Sequence, residues 1–171
     1  MIYIIGIGSN MPSKYGSPIA SLKFAIKKLN QNNIRVIKKS FIYSSPPKDF
    51  TSAANTFFNG AIMVDSALKP ELLLFVIKNI EKNLGRNVYK KNSSRTCDLD
   101  ILLVRPEGIS TRKANSKCIL PHPRIHERRF VLKPMMDICS NWTHPQRNQS
   151  ICDMYKSSYR DEKLYKIGKK L

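Results

Sequence analysis

Acidic residues are scarce in this chain: 12 Asp plus Glu stand against 30 Lys plus Arg in 171 residues, a formal net charge of +18. That imbalance fits a polyanionic partner such as nucleic acid, phosphate or a nucleotide. Long apolar runs are missing. The longest, Leu72 to Ile77, is far short of the ~20 residues a membrane helix needs. No basic segment precedes the apolar start Met1-Ile2-Tyr3-Ile4-Ile5, so a secretory signal is not expected and cytoplasm is the expected compartment. The four cysteines, Cys97, Cys118, Cys139 and Cys152, form no C-x-x-C pair, which argues for reduced thiols and against a closed zinc site. Internal repeats and low-complexity stretches are absent. What is present, 42% hydrophobic and 25% charged residues, is ordinary globular composition at a length suited to one domain.

The chain reads as short elements separated by turn residues. Ile2 to Ile7 predicts a buried strand ending at Gly8-Ser9-Asn10. Ser17-Pro18 opens a helix with the stripe Ile19, Leu22, Ile26 and Leu29. Ile34 to Tyr43 and Thr56 to Val64 predict strands flanking a polar loop with Pro46-Pro47. Lys69-Pro70-Glu71 opens a second helix, with Leu73, Ile77, Ile80 and Leu84 inward and Gly85 as its C-terminal cap. Cys97 to Val104 is a strand and Glu107 to Asn115 a turn or hairpin. Pro134 is expected to break a helix running from Arg124 to Ile138. This order, strand-helix-strand-strand-helix-strand, predicts an α+β, ferredoxin-like split βαβ sandwich. It has an antiparallel sheet with helices on one face, plus a C-terminal helical extension. Residues 1–145 are expected to form the single domain, with 146–171 a basic and mobile tail.

The sharpest motif is Arg95-Thr96-Cys97-Asp98-Leu99-Asp100-Ile101. On a strand, Asp98 and Asp100 share one face, ~6.5–7 Å apart along the chain, while Cys97, Leu99 and Ile101 face the core. Such a pair supplies hard oxygen ligands for Mg²⁺ with substrate phosphates completing the shell. An alternative reading, a solvated strand face, leaves two carboxylates beside apolar neighbours without cations to meet them. Cations do cluster in the flanking sequence: Arg86, Arg95, Lys117, His122, Arg124, Arg128 and Arg129, with guanidiniums suited to phosphate oxygens. His122 and His126 are four apart, but Pro123 makes His122 pre-helical and no third ligand is evident, so a phosphate donor is the better reading than zinc. Phe57, Phe58 and Phe130 read first as core residues. A flat heterocycle stacking on one or two of them, with Asn59 offering a donor and an acceptor, is the alternative.

Together these motifs resemble the 6-hydroxymethyl-7,8-dihydropterin pyrophosphokinase family of folate biosynthesis, over about residues 1 to 145. The resemblance rests on Gly8-Ser9-Asn10, Tyr43 to Pro46, Phe58-Asn59, Glu81 with Gly85-Arg86, Arg95 to Asp100, Pro121 to Arg124, and Arg128 to Leu132. It implies transfer of pyrophosphate from ATP to the hydroxymethyl group of the dihydropterin, releasing AMP. Asp98 and Asp100 would hold two Mg²⁺ ions, and Arg86 and Arg95 would be catalytic. Glu81, Arg95, Ile101, Lys117, His122 and Arg128 would bind ATP. Ser45, Pro46, Phe57, Asn59 and Phe130 would bind the pterin. The resemblance further implies a monofunctional monomer with no nucleic-acid or membrane partner. Three features depart from the family pattern: Val88 stands where a second loop arginine is common, Asn92-Ser93-Ser94 precedes Arg95 without the usual Trp, and the loop from Arg86 to Arg95 is a residue shorter than in some members. The segment from Arg86 to Arg95 has few apolar anchors and is expected to close over the substrates. An RNA-binding module is the rival on the same fold, but the strand from Cys97 to Leu103 carries two acids and no aromatic.

Overall fold

The computed structural model describes residues 1–47, 55–86, 94–106, 118–158 and 163–171. Its elements are β1 (Ile2–Ser9), α1 (Pro18–Gln31), β2 (Arg35–Lys39), β3 (Phe41–Ser45), β4 (Phe57–Asp65), α2 (Pro70–Asn83) and β5 (Asp98–Arg105). A 3-10 turn (Ile125–Glu127), α3 (Arg129–Cys139), β6 (Thr143–His144), β7 (Gln149–Ser150), α4 (Ile151–Ser157) and β8 (Tyr165–Lys170) follow. The main sheet is antiparallel, in the order β5-β1-β4-β3-β8, with β2 pairing the end of β4. The elements from β1 to β5, with β2 and β3 as two halves of one strand, thus trace the expected ferredoxin-like topology.

Strand alternation sorts the apolar residues onto two faces. Tyr3, Ile5, Ile7, Ile62, Val64, Leu99 and Ile101 meet α1 and α2 in the larger core. Both helices start as their sequences direct. Ser17 Oγ accepts the Ala20 N–H (3.3 Å) and Pro18 sits in the first turn, while Pro70 opens α2. At the end of α2, Gly85 takes φ +85°, a conformation glycine adopts without strain. The Gly85 N–H then donates to Lys82 O (3.0 Å) and the Arg86 N–H to Glu81 O (3.1 Å). This Schellman closure turns Arg86 back over the sheet.

The second face has its own core, where Ile4, Met63, Leu102 and Leu103 pack on Leu132, Met135 and Ile138 of α3 and on Ile151 and Met154 of α4. Three sequence expectations are revised here. The strand from Ile34 to Tyr43 divides at Ser40, whose N–H donates to Ala61 O and whose Oγ accepts the Ala61 N–H, each at 2.9 Å. Pro134 does not break α3: it is buried at the sixth position, where its missing N–H forfeits one bond. The interruption falls at Arg128, extended at φ −126°, ψ 98°. Beyond residue 145, where a basic tail was expected, α4 packs on α3 and β8 pairs with β3, and Leu171 reaches the core at 6% exposure. The turn expected over 107–115 lies outside the described residues. Among the described residues no helix is long and apolar enough to cross a membrane.

Candidate active site

The uncovered part of the second sheet face is the site, and β1 explains why it is open. The run Ile5-Gly6-Ile7-Gly8 puts isoleucines into the larger core and no side chain at all on the other face. A Cβ at Gly8 would stand 3.1 Å from Asn59 Oδ1, and one at Gly6 3.3 Å from Leu102 Cδ1. The glycines therefore clear a floor between Asn59 on β4 and Asp98 and Asp100 on β5. Gly8→Ala should displace the Asn59 amide and raise the KM for the substrate bound there by ~10-fold, about 1.4 kcal/mol. Steady-state kinetics beside an unchanged thermal midpoint would check it.

Asp98 and Asp100 stand on this face as the strand period predicts, with Leu99 and Ile101 buried behind them. Asp98 accepts from Arg86 Nη1 (2.5 Å) and Arg95 Nη1 (2.6 Å). Burial would raise its carboxyl, but Arg95, Arg86 and Lys78 outweigh that and hold it below the usual carboxylate range. Asp100 is the more open of the two, at 36% side-chain exposure, and Lys78 Nζ reaches it at 3.3 Å. Glu81 is turned inward at 3% side-chain exposure. Its Oε1 accepts the Leu99 N–H (2.6 Å) and Lys78 Nζ (2.8 Å), while Oε2 pairs with Arg86. Sequence reasoning set Glu81 at the nucleotide; the structure makes it the buried anchor of two cations. The segment carrying Arg95 is fastened to the end of β1: Asn10 Oδ1 accepts the Arg95 N–H (2.7 Å) and Ser9 Oγ donates to Thr96 O (2.7 Å). Residues 87–93 lie outside the described residues, as does Lys117.

Two clefts meet at this strand. The smaller, about 50 Å³, is lined by Gly8, Asn59, Asp98, Asp100, Arg128 and Phe130, among others. Asn59 Nδ2 donates to Ser45 Oγ (2.9 Å), which fixes the amide with Oδ1 toward the glycine floor. Phe57 shares the Asn59 face of β4 and pairs in register with Ser45, but the cleft walls include Phe130 and not Phe57. Pro46 follows at an exposed position. The larger cleft, about 400 Å³, is lined by Leu74, Lys78, Asp100, Ile101, Ile119 and His122, among others. Asp100 belongs to both. His122 Nδ1 accepts the Arg124 N–H (3.2 Å), so Nε2 carries the ring proton and is the donor. Burial lowers the His122 pKa; Asp100 opposes this, and Arg128 and Arg124 reinforce it. His122 should therefore titrate below its ordinary ~6.5 in the ligand-free protein, which a histidine NMR pH titration would read directly.

Some residues singled out in the sequence go elsewhere. Arg129 stacks on Tyr155 (4.3 Å) and donates to its hydroxyl (2.7 Å), tying α3 to α4. Arg124 pairs with Glu127 at 3.1 Å. Lys78 was missed, although its i,i+3 spacing from Glu81 on the stripe of α2 was a readable signal. Gly6 was missed too, since an apolar run hides the Ile-Gly alternation. Among the described residues no group of three or more His, Cys, Asp or Glu gathers as for a protein-only metal site. The donor chemistry of Asp98 and Asp100 fits Mg²⁺ in the other mode, one or two carboxylates completed by phosphate oxygens.

Comparison with known proteins identifies relatives of this chain. The family model for 7,8-dihydro-6-hydroxymethylpterin-pyrophosphokinase (HPPK) matches residues 4–140. The 2-amino-4-hydroxy-6-hydroxymethyldihydropteridine pyrophosphokinase of Bacillus subtilis is 38% identical over 139 residues, covering 81% of this chain and 78% of that protein. The Haemophilus influenzae protein of the same name is 30% identical, covering 96% of each. The Folic acid synthesis protein fol1 of Pneumocystis carinii is 37% identical over 89% of this chain, which spans only 19% of that longer protein. In fold, the chain is similar to the Plasmodium falciparum HPPK-DHPS crystal structure with pteroate (TM-score 0.68, 12% identity, 91% of this chain and 44% of that one). With a family match across most of its length and bacterial relatives covered over 78% and 96% of their lengths, the chain belongs to the 7,8-dihydro-6-hydroxymethylpterin-pyrophosphokinase family.

Proposed function

We propose that this chain transfers the pyrophosphoryl group of ATP to 6-hydroxymethyl-7,8-dihydropterin in folate biosynthesis, with Asp98 and Asp100 holding two Mg²⁺ ions between the two substrates. The observation that carries this reading is that Asp100 is a wall of both clefts. The pterin occupies the smaller cleft, opened by movement of the Phe130 ring, with Asn59 reading its edge and Phe130 and Phe57 flanking its faces. Ser45 holds the Asn59 amide and Pro46 borders the ring. ATP occupies the larger cleft, with Leu74 and Ile101 beside its base and His122, Arg128 and Lys117 on its phosphates. Every one of these groups lies within residues 1–145.

When bound, the metal ions supply charge neutralisation at the phosphate oxygens, which phosphoryl transfer needs more than covalent chemistry. The hydroxymethyl oxygen bonds to the β-phosphorus and releases its proton to solvent as the bond from that phosphorus to the α,β-bridging oxygen breaks, and the electron pair leaves on AMP. Arg86 and Arg95, now on Asp98, are placed to exchange that carboxylate for the transferring phosphates. Glu81 keeps Arg86 and Lys78 aimed at the site throughout.

The two-cleft assignment makes separable predictions. Asn59→Ala should weaken pterin binding by ~10–100-fold, the cost of one lost polar contact of about 1–3 kcal/mol, and leave the KM for ATP near normal. His122→Ala should do the reverse. Equal effects of each variant on both substrates would contradict the assignment.

A further inference from the structure

A third cleft, of about 540 Å³, opens beyond Pro123 and is lined by Pro123, His126, His144, Gln146, Arg147 and Gln149. The reaction uses none of the last five. One wall is the 3-10 turn that follows His122; the other is the hairpin of β6 and β7. His144 is only 4% exposed, yet it lines the cleft. Its Nδ1 accepts the Gln146 N–H (3.3 Å), which leaves the proton on Nε2, where it can donate. The turn is curled tightly on this residue: the Arg147 and Asn148 N–H groups both donate to His144 O, at 3.1 and 2.9 Å. Asn148 takes φ +51°, which closes the turn and keeps Arg147 beside the imidazole.

Among the described residues every polar lining side chain offers a donor, and none is a carboxylate. The nearest acid in sequence, Glu127, is already engaged by Arg124 at 3.1 Å and lies 3.6 Å from His126 Nε2. Burial lowers the His144 pKa, and the charges of Arg147 and His126 lower it further. Donors drawn from two elements around one cleft, the Arg147 guanidinium among them and Glu127 shared between Arg124 and His126, suit a tetrahedral oxyanion.

We infer that this cleft is a second anion site, separate from the nucleotide cleft, which binds a phosphate-class oxyanion between Arg147, His144 and His126. The ligand is either free phosphate or the terminal phosphate of an ester. Bound there, it ties the hairpin to the turn that carries His122 and Arg128.

The chain has three histidines, so histidine NMR resolves both sites at once. His122 reports the nucleotide cleft, and His126 and His144 report this one. The full chain is titrated at fixed pH with inorganic phosphate and, separately, with glycerol 3-phosphate, against chloride at matched ionic strength. The expected result is a saturable, concerted shift of His126 and His144 at ~1 mM ligand, an affinity of about 4 kcal/mol. In Arg147→Ala that affinity falls at least ~10-fold, while the His122 response to ATP persists. Tighter binding of the ester identifies a metabolite phosphate as the ligand, and tighter binding of phosphate identifies the free ion. The inference is overturned if His126 and His144 do not respond, respond equally to chloride, or respond unchanged in Arg147→Ala.

Discussion

Asp100→Asn should lower kcat by at least ~100-fold, the scale on which one preorganised electrostatic contact at a transferring group acts. The substitution keeps the shape and removes the charge at the one described residue common to both clefts. Secondary structure and thermal midpoint should hardly change, because Asp100 is partly open and its cation, Lys78, keeps Glu81 and Leu99 O as partners at 2.8 and 2.7 Å. Turnover measured over a wide Mg²⁺ range is the check. Near-normal rates at ordinary Mg²⁺ would remove Asp100 from the metal assignment. Asp98→Asn should be equally damaging to turnover and should also cost stability, since Arg86 and Arg95 converge on it. The sign with pH follows from its lowered pKa. A carboxyl lower in the folded than in the unfolded state stabilises fully above its unfolded value of ~3.9 and loses that contribution as pH falls through its folded value. Wild type should therefore lose more stability than Asp98→Asn as pH is taken below about 4.

Glu81→Ala should be the most destabilising single change in the site. It strands the buried Leu99 N–H and leaves Lys78 and Arg86 facing each other without their shared anion. Removing one partner of a buried ion pair costs about 3–5 kcal/mol. At ~2–4 °C per kcal/mol for a chain of this size, the midpoint should drop by roughly 6–20 °C. Glu81→Gln keeps an acceptor for Leu99 N–H and should recover part of the loss. Adding Lys78→Met to Glu81→Ala should also recover part, because it removes one of the two cations that Glu81 held apart, leaving Arg86 on Asp98. If Glu81→Ala instead unfolds at the wild-type midpoint, the buried anchor described here does not exist.

The parts of the site legible in the sequence were those governed by local geometry. The strand period alone set Asp98 and Asp100 on one face and Leu99 and Ile101 on the other, and Gly85 marked the turn that returns Arg86 to the sheet. Asn59 was legible as a paired donor and acceptor. What escaped depends on packing between elements. Nothing local says that Glu81 meets the Leu99 N–H, because that contact joins α2 to β5. Lys78 looks like a solvated residue beside an apolar stripe until β5 brings Asp100 to it. The Pro134 expectation failed because one lost helical bond costs less than the burial of Leu132, Met135 and Ile138 returns. Residues 146–171 read as a polar tail because the apolar signal around β8 is thin: the half-buried Ile167, and Leu171 just past the strand end, which packs against Gly60 of the interior strand β4.

The central claim is that one chain brings ATP and the hydroxymethyl-dihydropterin together across Asp98 and Asp100 and moves two phosphates at once. Chromatography of the nucleotide products, with and without 6-hydroxymethyl-7,8-dihydropterin, tests it most directly. The expected result is AMP equal in amount to the pterin diphosphate formed, and no nucleotide turnover without the pterin. Stoichiometric ADP with a singly phosphorylated pterin, or AMP formed at the same rate without the pterin, would contradict the account.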